Sequence, residues 1–202
     1  LKKYYKTLLE WNEKINLISR KEENVLEKHF LDSIIFLPEI ESLINQPHMI
    51  LDIGSGGGFP AIILAIMKPE WDFTLCESTT KKANFLNVLI NELGLKNTEI
   101  INARVEEIGK GGFQTRPNKK KYDLITARAI AKLDELIKYA MPLLKKEGCL
   151  ICYKAKDIDE ELKHAEKIIQ KTCKGKVTLP LTIFSKEING VERKLVIMHV
   201  EA

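Results

Sequence analysis

A short apolar run, Met49-Ile50-Leu51-Asp52-Ile53, breaks off into Gly54-Ser55-Gly56-Gly57-Gly58-Phe59-Pro60, after which a second apolar run continues to about Lys68. Glycines crowded into so few positions allow a tight turn and a close approach to a ligand without Cβ interference. A strand, a glycine turn and a helix make up the first part of a βαβ unit, whose ligand crevice lies beyond the carboxyl ends of the strands. A glycine turn alone is weak evidence, and Glu77 strengthens it. Phe73-Thr74-Leu75-Cys76 reads as a second strand with Glu77 at its tip. That is ~20 residues past the glycines, where a carboxylate reaches the ribose hydroxyls of a bound nucleoside.

The spacing also discriminates between nucleosides. The dinucleotide fingerprint G-x-G-x-x-G requires a third glycine where this chain has Phe59, and the glycines here fall instead at Gly54, Gly56 and Gly58. Asp52 precedes the first glycine by two places. A carboxylate is unfavourable beside a pyrophosphate and favourable beside the ammonium-bearing end of S-adenosyl-L-methionine, so Coulomb's law selects the methyl donor as cofactor.

The rest of the chain alternates in the same manner. Tyr5, Leu8, Leu9, Trp11, Ile15 and Leu17 sit at helical spacing, predicting a helix over residues 4–17. A second helix is predicted from Val25 to Leu37, stopped by Pro38, with a short helical piece over Glu39–Ile44. Past the glycine turn come a helix over Thr80–Leu93 closed by Gly94 and a strand over Glu99–Ile101. A strand over Tyr122–Thr126, a helix over Leu133–Leu144, a strand over Cys149–Tyr153 and a helix over Ile158–Thr172 follow. Two β-like stretches, Val177–Phe184 and Lys194–Val200, are joined through the turn dipeptide Asn189-Gly190. This order predicts an α/β fold, a doubly wound, mainly parallel sheet with a C-terminal antiparallel hairpin and extra N-terminal helices; the glycine spacing and Asp52 make the expected type that of the class I S-adenosylmethionine-dependent methyltransferases. Residues 1–46 are expected to pack as helices on a core formed by residues 47–202, as one structural domain.

A chain of 202 residues with a net charge of +4 is long enough for a substantial single core and mildly basic, which is compatible with a nucleic-acid partner without requiring one. No apolar run approaches the ~18 residues of a membrane span. Cys149 and Cys152 have the spacing of a metal or redox pair, yet positions three apart on a strand point to opposite faces and no second pair follows. With Cys76 and Cys173 they read as buried structural thiols in a reducing cytoplasm, and no metal is expected. Gly109–Lys121, GKGGFQTRPNKKK, reads either as a solvated basic loop or as a contact for a phosphate backbone.

The acceptor is narrowed by what is missing. Thr126-Ala127-Arg128-Ala129 stands where enzymes acting on exocyclic amines carry Asn/Asp-Pro-Pro-aromatic, and no cysteine falls in a loop where a C5-pyrimidine nucleophile is needed. An atom that is already nucleophilic, such as guanine N7, requires no general base, only positioning and tolerance of positive charge. A small-molecule methyltransferase, a nicotinamide dehydrogenase and an RNA-binding platform without catalysis are the competing readings, because fold does not fix substrate.

Over nearly its whole length the chain resembles the bacterial small-subunit ribosomal RNA guanine-N7 methyltransferases, the glucose-inhibited division protein B family. The resemblance is carried by Trp11-Asn12 with Asn16-Leu17, His29-Phe30-Leu31-Asp32-Ser33 and Asp52 to Pro60. It continues through Glu77-Ser78, Lys81-Lys82, Phe85-Leu86, Arg104-Val105-Glu106-Glu107, Thr126-Ala127-Arg128-Ala129 and Glu192-Arg193-Lys194-Leu195-Val196. It implies that Asp52, Gly54, Gly56, Gly58, Phe59, Glu77 and Ser78 surround the cofactor, with Val105 and Glu106 flanking its adenine. Arg128 would sit between cofactor and substrate as a positioning group; the lesser alternative, read from this sequence alone, is that it caps a helix end or pairs with Glu77. Asn12, Asn16, Arg20, His29 and Asp32 would face the RNA, or else serve as ordinary helix contacts. Lys154 and Arg193 are candidate phosphate contacts. The implied partner is small-subunit ribosomal RNA or the subunit itself, met by a monomer. Ala61 departs from the family pattern, which has glycine there, and the loop 109–121 is longer and more basic than expected.

Overall fold

A computed structural model describes residues 1–44, 49–109, 121–154, 158–173 and 175–201; apart from its two ends, the basic stretch Gly109–Lys121 lies outside the described residues. The strands are β1 (Met49–Ile53), β2 (Asp72–Cys76), β3 (Thr98–Ile101), β4 (Tyr122–Arg128), β5 (Leu144–Lys154), β6 (Thr182–Ile188) and β7 (Val191–His199). They form one seven-stranded sheet in the order β3-β2-β1-β4-β5-β7-β6. The first five are parallel, and β7 runs antiparallel between β5 and β6. The expected doubly wound sheet with its terminal hairpin is therefore present, and Asn189 and Gly190 turn the hairpin with φ of 48° and 75°, as a two-residue turn of this hand requires.

The helices divide between the two faces. One face carries α1 (Lys2–Asn12), a π-helical turn (Leu26–Leu31) running into α2 (Asp32–Ile34), α3 (Leu37–Leu43), α4 (Ala61–Met67) and α5 (Thr80–Leu93). The other carries α7 (Leu133–Ala140) and α8 (Asp159–Thr172), with the short α6 (Val105–Gly109) beside them. The central strands are buried on both faces, which is why their sequences are nearly continuously apolar. Alternation still sorts the side chains. Cys149, Ile151 and Tyr153 of β5 join the first core, whereas Leu150 and Cys152 join the second. The two cysteines thus point to opposite faces, each as a buried thiol.

Several boundaries differ from the expectation, each for a tertiary reason. The first helix ends at Asn12, because the Asn12 carboxamide accepts the Leu17 and Ile18 amides at 2.9 and 3.0 Å and folds the chain back. Pro38 opens α3 instead of stopping the preceding helix; its missing N–H is no loss in a first turn. The helix over 133–144 closes at Ala140, and Leu144 pairs with Tyr122 to begin a longer β5. The short α6 was not anticipated.

Candidate functional site

Strand order reverses beside β1, with β2 on one side and β4 on the other, so the crevice opens above the tips of these strands. Gly54 N–H and Ser55 N–H both donate to Cys76 O, at 2.8 and 3.2 Å, which joins the glycine turn to the end of β2. Glu77, 5% exposed, turns its carboxylate back into that turn. Its Oε2 accepts Gly56 N–H at 2.9 Å and its Oε1 accepts Thr79 N–H at 2.7 Å, while Asn102 Nδ2 donates to the Glu77 carbonyl at 2.8 Å. A glycine bed and a carboxylate hook therefore share one rim.

That rim bounds a cleft of about 360 Å³, the size of a small-ligand site. Of the predicted cofactor residues, Gly54, Gly56, Glu77, Ser78, Val105 and Glu106 line it, and so do Ile130 and Tyr139. A Cβ on Gly54 would stand 2.4 Å from Ile130 Cγ2, and φ is +70° there, so only glycine leaves this approach open. Asp52, Gly58, Phe59 and Arg128 are not among the lining residues. Gly58 serves a different purpose: with φ of +92°, its absent Cβ makes room for the Tyr4 hydroxyl and for Ile62.

Asp52 is 1% exposed at the tip of β1. Thr126 Oγ1 donates to its Oδ1 at 2.6 Å; among the described residues Oδ2 has no hydrogen-bond partner. Burial drives its pKa up to about 7, against the Thr126 and Ser55 hydroxyls, and Glu77 adds to the rise. A buried carboxylate with an unused oxygen beside a glycine bed fits a ligand with a cationic end and does not fit a pyrophosphate.

Beside the cleft lies a second polar cluster. Arg128, at the end of β4, donates through Nη2 to Lys28 O and through Nη1 to His29 O, with Nη2 also 3.0 Å from His29 Nδ1 and 3.3 Å from Asp32 Oδ2. Its guanidinium stands over the Phe59 ring, which stacks between Tyr4 and His29. Burial, then Arg128, brings the His29 pKa down to about 4, so the imidazole is neutral at pH 7. Burial raises the Asp32 pKa against the pull of Arg128 and Arg193. Arg128 does not pair with Glu77; it ties the π-helical turn to the sheet.

The expected RNA-facing residues divide. Asn16 and Arg20 are exposed, Arg20 donating to Glu13 O at 3.2 Å. Asn12, Asp32 and Arg193 correct the expectation: all three face inward. Asn12 holds the loop after α1, and Arg193, 8% exposed, places Nε 3.4 Å from Asp32 Oδ1. A carboxylate buried between two guanidiniums satisfies charges that would otherwise be stranded. Lys154 likewise binds Glu161 Oε1 at 2.7 Å, and the same oxygen accepts the Leu133 amide. Tyr4, Thr126, Ile130, Tyr139 and Asn102 were not predicted, because their roles are contacts between segments distant in sequence. Only Thr126 carried a signal, as a hydroxyl in an otherwise apolar strand at the register opposite Asp52.

Among the described residues, no cluster of three or more His, Cys, Asp or Glu side chains could hold a metal ion, and no helix is long and apolar enough to cross a membrane. Solved structures share the fold. An O-methyltransferase from Streptomyces achromogenes in complex with SAM superposes with a TM-score of 0.65 at 16% identity, covering 98% of this chain and 90% of that one. One from Bacillus cereus in complex with SAH gives 0.65 at 14%, covering 98% and 91%. At such identities the likeness concerns the fold alone. Sequence relatives are much nearer. The ribosomal RNA small subunit methyltransferase G of Streptococcus agalactiae is 44% identical over 198 residues, 96% of this chain and 79% of that protein. That of Lactococcus lactis is 41% identical over 203 residues, 97% and 79%, and that of Mesoplasma florum 44% over 193 residues, 94% and 78%. With residues 1–191 also matching the GidB family profile, described as rRNA small subunit methyltransferase G, the chain belongs to that family.

Proposed function

We propose that this chain transfers the methyl group of S-adenosyl-L-methionine to N7 of a guanine in small-subunit (16S) ribosomal RNA, acting in the cytoplasm as a monomer that meets its RNA within the ribosomal subunit. The observation that carries the reading is the Glu77 carboxylate held against the Gly56 amide at the rim of the cleft. Glu77 is placed for the ribose hydroxyls, Val105 and Glu106 for the adenine, and Gly54 and Gly56 for the close approach of the methionine end. Ser78 completes the ribose side. Asp52, buried behind the glycine turn with its pKa raised to about 7, supplies a negative field for the ammonium group once that cation has drawn off its proton.

When bound, S-adenosyl-L-methionine supplies an electrophilic methyl on a sulfonium centre. The protein then has to orient the acceptor and exclude water. Guanine N7 offers an in-plane lone pair with no proton to remove, so catalysis is positioning and charge stabilisation. Arg128 and Phe59, stacked as a cation over a ring beside the cleft, form the platform on the acceptor side. Asn16 and Arg20, exposed after α1, are the candidate RNA contacts left facing solvent. Arg193 holds the platform in place through Asp32, whereas Lys154 ties the segment after β4 to α8 through Ala131 O and Glu161.

The test uses methyl-labelled donor with assembled small subunits, naked rRNA and free guanine nucleotides. The expected result is incorporation into rRNA, recovered on digestion as 7-methylguanine. Label confined to free nucleotides, or on another atom, would refute the reading.

A further inference from the structure

The N-terminal helix reaches the glycine turn through one side chain. Tyr4 is fully buried, and its hydroxyl donates to Gly57 O at 2.6 Å across 53 residues of sequence. Its ring packs at 4.9 Å from Phe30 and stacks at 5.2 Å on Phe59, the residue that ends the glycine run. Gly58 is shaped around it: a Cβ there would lie 2.7 Å from the phenolic oxygen. The chain after α1 reaches the turn as well, Leu17 O lying 3.6 Å from where a Gly57 Cβ would be. Within the turn itself, Gly58 N–H bonds Ser55 O at 2.6 Å.

These contacts give the glycine run two sides. Gly54 and Gly56 border the cleft, whereas Gly57 and Gly58 are held from behind by residue 4. We propose that Tyr4 is a positioning residue for the cofactor: its hydroxyl, bonded to Gly57 O, sets the curvature of the turn that presents Gly54 and Gly56 to the ligand. This rests on the reading of the cleft as a nucleoside-cofactor site. It assigns α1 to cofactor binding, where RNA docking alone would have been the default for an N-terminal extension. The physical reason is that a buried carbonyl without a donor is costly, so the turn departs from this geometry when the phenol is lost.

The test compares Tyr4→Phe with Thr7→Val. Thr7 lies on the same helix, and its hydroxyl bonds Glu92 Oε2 at 2.6 Å, which ties α1 to α5 and not to the glycine turn. Calorimetric titration with S-adenosylhomocysteine is run on both variants and the wild type. Thermal melting of each, and hydrogen exchange of the Ser55–Gly58 amides without ligand, accompany it. Tyr4→Phe is expected to weaken S-adenosylhomocysteine binding roughly tenfold and to speed exchange in the turn, with rRNA binding in the absence of cofactor unchanged. Thr7→Val is expected to leave the titration at the wild-type value. Unchanged affinity in Tyr4→Phe, or affinities in both variants falling in step with melting temperature, would overturn the proposal. A wild-type protein that does not bind S-adenosylhomocysteine at all would instead strike the cofactor reading beneath it.

Discussion

Asp52 and His29 both feel the Arg128 guanidinium and carry pKa shifts of opposite sense, each with a definite consequence for stability against pH. Asp52 has its folded pKa raised from 3.8 to about 7, so the native state holds a proton that the unfolded state has already released. Its contribution to stability is fully present below 3.8 and is lost as pH rises through about 7. At ~1.36 kcal/mol per pH unit that loss is about 4 kcal/mol. His29 has its folded pKa lowered from 6.5 to about 4, so the unfolded state binds the proton first. Its contribution is present above 6.5 and is lost as pH falls through about 4, a change of about 3 kcal/mol. The two slopes oppose each other over nearly the same window and largely cancel. Asp52→Asn and His29→Gln each remove one of them. Urea unfolding of the ligand-free protein at several pH values gives the variant-minus-wild-type difference, from which titrating groups not coupled to the mutated one drop out. Asp52→Asn should gain on wild type by about 4 kcal/mol between about pH 4 and pH 7, and His29→Gln should lose on it by about 3 kcal/mol as pH rises over that range. A difference independent of pH in either variant would show that the group ionises as it does in water, and would refute the reasoning.

Two further outcomes follow from the site geometry. Gly54→Ala drives a Cβ into Ile130 at a positive φ and is expected to cost about 1–3 kcal/mol of stability; S-adenosylmethionine affinity should fall at the same time, measured by melting with and without ligand. Arg128→Lys keeps the charge but loses the fork that spans Lys28 O, His29 O and Asp32. It should retain the fold and reduce methyl transfer by roughly tenfold or more, and full activity in the kinetic assay would reduce Arg128 to a tether.

How much of this was legible in the sequence depended on the range of the interaction. The glycine run, the acidic tip of β2, the Gly94 cap and the Asn189-Gly190 turn are local signals with a fixed backbone meaning, and each appears where it was expected. The partition of Cys149 and Cys152 follows from the period of a strand and needed nothing more. Side chains whose partners are remote in sequence could not be placed. Asp32 is expected at the RNA from the family resemblance and Arg193 at a phosphate as a cation near the C-terminus, and neither expectation can see the ion pair that buries both and joins α2 to β7. Pro38 was read as a stop because proline's effect on the preceding residue is visible in sequence, whereas its place in the first turn of a new helix is not. Gly58 matched the cofactor motif by position, yet its glycine is demanded by Tyr4, a contact that no periodicity reveals.

The most direct test of the account is calorimetric titration of the purified chain with S-adenosyl-L-methionine, beside Glu77→Ala. Removing the carboxylate strips the Gly56 and Thr79 amides of their acceptor and the ribose of its anchor. Saturable one-to-one binding by the wild type, weakened by about two orders of magnitude in Glu77→Ala with the fold intact, is the predicted result. Equal affinity in the two proteins, or none in the wild type, would contradict it.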